Sequence, residues 1–180
     1  ATSGPGATNL ITGIATAYMD SSPVVFITAN VNRDMIGRDS FQEVDITGIT
    51  MPITKCNYLV QNVESLADTI RAGFPIARSG RPRPVLFDIP KNVTPETADY
   101  TPVPREQHKN SGRLAALLKW ASHDFKAPEP NVQDIDKLVE MIAQSEKPLL
   151  ICGGGVVRSR AHQEFEAFAN KIDAPVAITV

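Results

Sequence analysis

Two glycine-rich turns stand where a ligand could meet free backbone N–H groups. Gly4-Pro5-Gly6 leads into a helix that we predict to start near Ala7, and Gly153-Gly154-Gly155 follows an apolar strand and precedes another helix. Glycine permits close approach of a ligand or of another backbone, and helix N-termini carry unpaired N–H groups. The second turn suits a phosphate or a flavin edge. A tight strand-to-helix turn without a ligand explains either spacing equally well, and residues 153–155 lack the GxGxxG pattern.

Two cations flank a predicted buried strand. Arg81 lies in the turn Ser79-Gly80-Arg81-Pro82 before the strand, and Lys91 follows the strand end. Arg81 could hold an anionic ligand or pair with a carboxylate. Lys91 falls at the edge where open parallel sheets bind ligands. From spacing alone, a solvated or ion-paired side chain is the simpler interpretation of each.

The segment Phe41-Gln42-Glu43 ends the loop after the first predicted strand. An aromatic ring, an amide and a carboxylate together suit recognition of a small polar ligand, although they could equally pin the loop to the domain. Glu43, Asp39 and Asp45 are candidate acids or bases, but no partner group stands at a diagnostic spacing, so we assign none of them that role. The histidines and cysteines show no metal-ligand spacing, and no metal site is predicted.

Alternating helical and strand patterns over the first 90 residues must position these side chains. The predicted elements are a helix over 7–18, a strand over 23–28, a loop over 29–42, a short helix over 43–49, a strand over 57–60, a helix after Asn62 that stops near Gly80, and a strand over 84–89. Pro75 predicts a kink in the longest helix. The apolar runs at 23–28 and 84–89 are typical of strands buried on both faces of a parallel sheet.

Proline-rich, polar residues 93–130 separate this part from a second α/β pattern, with one short helix predicted at 114–120. Helix, strand, helix and strand follow over 131–180, which is too little to close a core. The sequence opens on a turn that usually follows a strand and stops inside an apolar run. We therefore expect an incomplete piece of a larger α/β enzyme, organised as 1–92, 93–130 and 131–180, that does no chemistry alone.

Bulk properties exclude two classes of partner. The formal net charge is -2 and the cations are scattered, which argues against a nucleic-acid surface. No apolar stretch is long enough to predict a membrane span, and the start does not resemble a signal peptide. Two unpaired cysteines fit a reducing compartment, so we expect a cytoplasmic protein, or one of an organellar stroma or matrix.

Taken together, several long segments in order resemble the catalytic large subunit of acetolactate synthase, in the thiamine-diphosphate enzyme superfamily. They are ATSGPGATN at 1–9, ITGIATAYMDS at 11–21, GRDSFQE at 37–43, GITMPITKCNYLV at 48–60, SGRPRPV at 79–85, DIPKNV at 88–93 and KPLLICGGG at 147–155. The resemblance implies the later part of a parallel-sheet domain that binds the cofactor pyrimidine, linked to the start of a Rossmann-like central domain that binds FAD.

The resemblance also implies a reaction. Pyruvate loses CO₂, and the resulting two-carbon unit joins a second 2-oxo acid, in branched-chain amino-acid biosynthesis. Thiamine diphosphate, FAD and Mg²⁺ would serve the full-length enzyme, with the activating glutamate and the metal motif outside this sequence. A homodimer or higher oligomer and a regulatory subunit are the implied partners.

Site residues follow position by position from the same resemblance. Gly4, Pro5, Gly6 and Asn9 match a segment near the pyrimidine. Phe41 and Gln42 match residues beside the reaction centre at a subunit interface, and Lys91 a lysine of the substrate channel. Arg81 matches a residue that contacts FAD, as do Gly153, Gly154 and Gly155.

The sequence departs from the family pattern at a few positions. Ala29-Asn30 stands where the family usually has Gly-Gln, Asn32 replaces a common proline, and Arg83 a common glycine. Another carboligase, decarboxylase or oxidase of the superfamily, or a non-catalytic α/β binding module, therefore stays open.

Overall fold

The computed structural model describes residues 1–101 and 129–179. The chain divides into two compact units, Ala1–Lys126 and Ala127–Val180. The short helix predicted at 114–120 lies outside the described residues. No helix of the described ranges is long and apolar enough to cross a membrane.

A parallel sheet organises the first unit. Its strands are β1 (Val25–Asn30), β2 (Cys56–Leu59) and β3 (Val85–Pro90), in the order β1-β3-β2. Every residue of the central strand β3 is buried, as its apolar run predicts. The fold is α/β with parallel strands, which confirms the predicted class.

The prediction that β1 is buried on both faces is wrong, because Ile27 is 45% exposed. β1 lies at the edge of the sheet, and among the described residues the backbone of Ala1 pairs with its outer side. The Ala1 nitrogen donates to the Ile27 carbonyl at 2.9 Å, and the Ala1 carbonyl accepts from the Ala29 N–H at 2.8 Å. Ala1 thus occupies the place of a residue in a further strand beside β1.

The predicted helix over 7–18 is wrong in one respect, since the structure has two helices there. They are α1 (Pro5–Thr8) and α2 (Ile11–Met19). Proline at the first position starts α1 two residues earlier than predicted, because its fixed φ suits a helix start. The Leu10 N–H then bonds to the Ala7 carbonyl three residues back, which closes α1 before α2 begins.

The remaining helices described in this unit, over residues 1–101, are α3 (Ile46–Thr50) and α4 (Val63–Arg78). The Asn62 side chain accepts from the Ser65 N–H at 3.0 Å, which confirms the predicted N-cap of α4. Pro75 stays inside α4, and the predicted kink stays a prediction. Short 3₁₀ turns lie at Arg33–Met35, Met51–Ile53 and Lys91–Val93.

Helices cover both faces of the sheet. On one face α4 packs on alternate residues of β3, and the buried residues of this cluster are Val60, Ala72, Ile76, Ala77, Val85, Phe87, Ile89 and Val93. On the other face Leu86 packs with Ala7, Ile14 and Ile46, from α1, α2 and α3. Because the faces alternate along β3, Asp88 points to the same side as Leu86.

Replacing Gly73 by alanine should lower the free energy of unfolding by about 1–3 kcal/mol, as expected for overpacking. A Cβ at Gly73 in α4 would overlap Cε2 and Cζ of the Phe87 ring, which projects from β3 and is buried beneath α4. Urea unfolding followed by circular dichroism measures the change. Gly13→Ala is the matched control, because Gly13 in α2 has open space around a Cβ and alanine should stabilise that helix. Equal stability of the two variants would contradict the prediction.

The second unit contains α5 (Val132–Ala143), β4 (Leu150–Cys152), α6 (Gly154–Arg158), α7 (His162–Ile172) and β5 (Val176–Ile178). β4 and β5 pair in parallel. Apolar side chains of this sheet are exposed: Ile151 on β4 is 68% exposed and Ile178 on β5 is 77% exposed. The predicted glycine turn over 153–155 is wrong in detail, because Gly153 is the N-cap of α6 and Gly154 and Gly155 form its first turn.

Candidate functional site

Several predicted site residues share the carboxyl edge of the first unit's sheet. β3 ends at Pro90 and leads directly to Lys91, which is exposed. Ala1 pairs with β1, so the chain that follows it reaches Gly4 at this same edge. Open parallel sheets bind their ligands at such edges.

Gly4 brings the first turn against the Phe41-Gln42 loop. Its backbone has φ 58° and ψ -119°, a conformation that residues with a side chain avoid. A Cβ at Gly4 would stand 2.6 Å from the Gln42 carbonyl oxygen and 2.9 Å from the Gln42 Cα. Glycine is thus required here for close approach of another backbone, and the two motifs predicted separately meet.

The loop that presents Phe41 and Gln42 is closed by Glu43. The Glu43 carboxylate accepts from the Gly37 N–H and, at 3.1 Å each, from the Ser40 N–H and hydroxyl. These bonds, the Gly37 N–H foremost, hold the pKa of Glu43 below its ordinary value, so the carboxylate stays ionised at neutral pH. Phe41 is 87% exposed, and Gln42 is exposed too.

Pro5, Gly6 and Asn9 complete the first turn. Pro5 is the first residue of α1, and Asn9 is its exposed C-cap. A Cβ at Gly6 would stand 2.8 Å from Thr2 Cγ2, the end of a side chain that can move. Glycine is therefore needed more strictly at Gly4 than at Gly6.

A polar network that sequence reasoning missed lies buried below this edge. Asp88 on β3 is 1% exposed and accepts from the Thr28 hydroxyl at 2.7 Å and from the Asn30 amide. The Asn30 oxygen in turn accepts from the Val31 N–H at 2.8 Å, where β1 ends. Burial raises the pKa of Asp88, and the two bonds to its carboxylate act in the opposite direction. A single carboxylate in an apolar strand was the signal that could have revealed it.

The start of the loop after β1 is tied to the end of β3. The Lys91 N–H donates to the Val31 carbonyl at 3.4 Å, and the Arg33 N–H donates to Asn92 Oδ1 at 3.1 Å. Arg33 also pairs with Glu96 and lines an open cavity of about 510 Å³ with Ile36, Leu59, Gln61 and Asn62. This cavity adjoins the end of β2.

Arg81 lies at the opposite, amino edge of the sheet, so the structure does not bring it together with Gly4 and Gln42. Its Nε donates to the Ser21 hydroxyl at 2.7 Å. Lys55, just before β2, donates to Ser79 Oγ at 3.0 Å. The pKa of Lys55 is lowered by burial and then by the nearby Arg83. Three cations thus gather at this edge.

Arg83, one of the departures from the family pattern, is held by Tyr18. Its guanidinium carbon lies 3.9 Å from the centre of the Tyr18 ring, and its Nη1 donates to the Tyr18 hydroxyl. Its Nε is buried without a hydrogen-bond partner among the residues described. The charged side chain of Arg83 therefore packs against α2.

The glycines of the second unit have little structural need to be glycine. A Cβ at Gly155 would meet no atom within 4 Å, and one at Gly153 would stand 3.4 Å from Thr179 Oγ1. Gly153 caps α6 with no side-chain bond. Within residues 1–101 and 129–179, no group of three His, Cys, Asp or Glu side chains could hold a metal ion.

Comparison with known families assigns both units to one class of enzyme. Residues 1–49 match the family model described as thiamine pyrophosphate enzyme, N-terminal TPP binding domain, and residues 135–180 match thiamine pyrophosphate enzyme, central domain. Thiamine pyrophosphate is thiamine diphosphate under its other name. The chain belongs to the thiamine pyrophosphate enzyme family.

Within this family the chain is similar to acetolactate synthases along its whole length. It is 42% identical over 181 residues to acetolactate synthase of Arthrospira platensis, which covers all of this chain and 29% of that relative. It is 41% identical over 180 residues to the acetolactate synthase large subunit of Corynebacterium glutamicum, again over all of this chain and over 27% of that relative. The chain thus spans less than a third of the length of the curated relatives it matches.

Proposed function

We propose that these residues act, within a chain of the relatives' length, as part of a thiamine-diphosphate-dependent acetolactate synthase. The enzyme would decarboxylate pyruvate and join the two-carbon unit to a second 2-oxo acid, in branched-chain amino-acid biosynthesis. The observation that carries the proposal is identity of 42% across the entire chain to acetolactate synthase of Arthrospira platensis. Residues 1–92 would belong to the pyrimidine-binding domain, 93–130 to a linker and 131–180 to the central domain.

In this proposal the carboxyl edge of the sheet would face the aminopyrimidine side of the cofactor. When bound, thiamine diphosphate supplies the electron sink for loss of CO₂. The exposed Gln42 amide would orient the substrate, and the exposed Phe41 ring would exclude water beside it. The Lys91 ammonium would attract the carboxylate of an incoming 2-oxo acid. Residues 4–6 and Asn9 would line the pyrimidine side.

Contacts with FAD are proposed for residues of each unit separately. Arg81 has only its Nε engaged among the residues described, so its terminal nitrogens are available for a phosphate or for the flavin. Gly155 has room that its own unit does not fill, which suits close approach of a ring. Gly153 and Gly154 would line the FAD contact proposed for Gly155 in the second unit. Mg²⁺ would bind the diphosphate through residues outside this sequence.

The partners would be those of an acetolactate synthase large subunit. Phe41 is 87% exposed beside the proposed reaction centre. Such exposure is expected of an aromatic side chain that a second subunit covers. We therefore propose a homodimer or higher oligomer, with a regulatory subunit, in the cytoplasm or an organellar stroma or matrix.

A second candidate is a related carboligase, decarboxylase or oxidase of the same family. The observation that favours it is Asn30, which stands where the family usually has glutamine and whose amide is committed to Asp88 and to the Val31 N–H. The departure lies at the start of the loop that carries Phe41 and Gln42. A change there could alter the acceptor.

Product analysis separates these functions. The protein, expressed at the full length of its gene, is incubated with pyruvate, thiamine diphosphate, Mg²⁺ and FAD, with and without a second 2-oxo acid. With pyruvate alone, acetolactate and CO₂ in equal amounts are the expected result; with a second 2-oxo acid, CO₂ should equal the sum of acetolactate and the adduct of that acid. Acetaldehyde as the main product would identify a decarboxylase, and acetate formed with O₂ consumption an oxidase. Absence of all products would contradict both proposals.

A further inference from the structure

We infer that Glu43 is a positioning residue, whose carboxylate holds loop 37–43 in the conformation that presents Phe41 and Gln42 beside Gly4. Its effect on catalysis rests on the proposed function, whereas its effect on the order of the loop does not. The sequence makes Glu43 look like an acid or base, but its contacts point elsewhere.

The carboxylate is occupied by the loop itself. Oε1 accepts from the Gly37 N–H, and Oε2 accepts from the Ser40 N–H and the Ser40 hydroxyl at 3.1 Å each. The Glu43 N–H donates back to the Ser40 carbonyl at 3.0 Å. One ionised side chain thus gathers donors from two positions of the loop, and charge-assisted bonds of this kind are stronger than neutral ones.

The loop needs such a brace because its backbone is strained. Gly37, Asp39 and Gln42 all have positive φ, at 80°, 52° and 60°. Two of these residues carry side chains, for which this conformation is unfavourable and persists only when the surroundings enforce it. Gln42 is held in this conformation directly before Glu43.

Among the described residues of this chain, apolar packing does not supply the restraint. Phe41, the aromatic residue of the loop, is 87% exposed, and Gly37, Asp39 and Gln42 are exposed as well. With little buried surface, local opening of the loop is opposed mainly by its hydrogen bonds. Loss of the Glu43 contacts should therefore release it.

Release would be felt at the proposed site through Gly4. The Gln42 backbone lies so close to Gly4 that a Cβ there would stand 2.6 Å from the Gln42 carbonyl oxygen. This fit depends on the conformation of Gln42, which Glu43 maintains from the next position. Glu43 would accordingly act through Gln42 and Phe41, without touching the substrate.

The test compares Glu43→Gln with Asp34→Asn in the protein expressed at the full length of its gene. Both remove one negative charge from the same loop region, but the Asp34 side chain is exposed and the structure gives it no hydrogen bond among the described residues. Trypsin cleavage after Arg38, followed by mass spectrometry, reports opening of the loop. Glutamine keeps only one acceptor oxygen and no charge, so the bonds to the other oxygen are lost and the cleavage rate should rise about tenfold or more in Glu43→Gln. Asp34→Asn should match the wild type.

Kinetics on pyruvate then separate positioning from direct catalysis. Glu43→Gln should lower kcat about tenfold with little change in KM, because misplaced side chains weaken transition-state contacts. Glu43→Asp, which keeps the charge, should recover part of both the protection from trypsin and kcat. Unchanged cleavage in Glu43→Gln would overturn the inference, and so would a far larger loss of kcat with an intact loop, which marks a direct acid or base. Absence of acetolactate formation by the wild type would contradict the proposed function. The cleavage rates would still show whether Glu43 holds the loop.

Discussion

Gly4→Ala should lower the free energy of unfolding of the first unit by about 3 kcal/mol, since two penalties combine. The backbone of Gly4, at φ 58° and ψ -119°, is unfavourable for alanine. The added Cβ would also stand 2.6 Å from the Gln42 carbonyl oxygen, a backbone atom that cannot swing away. Either the turn or the Gln42 loop must therefore move, which should also abolish measurable acetolactate formation. Urea unfolding followed by circular dichroism measures the stability change.

Gly6→Ala is the matched control for stability, two residues along the same turn. Its Cβ would meet only Thr2 Cγ2, at 2.8 Å, and the Thr2 side chain is exposed and can rotate. We expect a cost below about 1 kcal/mol, offset in part by the helix propensity of alanine. If Gly4→Ala were no less stable than Gly6→Ala, the close approach of Gly4 and Gln42 would be wrong.

Asp88→Ala should destabilise the first unit by about 3 kcal/mol, the range for removing one partner of a buried polar network. The Thr28 hydroxyl and the Asn30 amide would both lose their acceptor in a buried position. The loss should be measurable in urea at pH 7. A change below about 1 kcal/mol would mean that water replaces the carboxylate and that the network contributes little.

Asp88→Asn is the matched variant, and it adds a dependence on pH. Burial raises the pKa of Asp88 above its ordinary value. The stability linked to its protonation is therefore complete below the unfolded-state pKa and is lost as the pH rises through the raised folded pKa. Asparagine does not titrate. The free energy of unfolding of the wild type should therefore rise relative to that of Asp88→Asn as the pH falls from 7 towards 4. A constant difference across this range would contradict the raised pKa.

Local patterns predicted much of the scaffold. The apolar run at residues 84–89 predicts the fully buried strand β3, and Asn62 predicts the start of α4, because caps and apolar runs are read from neighbouring residues. The Gly4 turn and the Gln42 loop were found separately. Their contact could not be predicted from spacing, since it joins residues far apart in the chain.

The missed features depend on long-range partners in the same way. Asp88 is bound by Thr28 and Asn30, 60 and 58 residues away, so no local periodicity marks it. Arg83 stacks on Tyr18, 65 residues away, and this contact shows where the extra cation goes. Arg81 precedes β3 and Lys91 follows it. The two residues are close in sequence, but the strand places them at opposite edges of the sheet.

Binding of thiamine diphosphate tests the central claim, that the Gly4 turn and the Gln42 loop form part of a cofactor site. Isothermal titration calorimetry would be carried out with Mg²⁺ present, on the protein at the full length of its gene and on its Gly4→Ala and Gly13→Ala variants. We predict saturable binding to the wild type and to Gly13→Ala, and affinity weaker by about tenfold or more for Gly4→Ala, as expected when a fitted contact worth over 1.4 kcal/mol is lost. Equal affinity of all three proteins, or no binding to the wild type, would contradict the account.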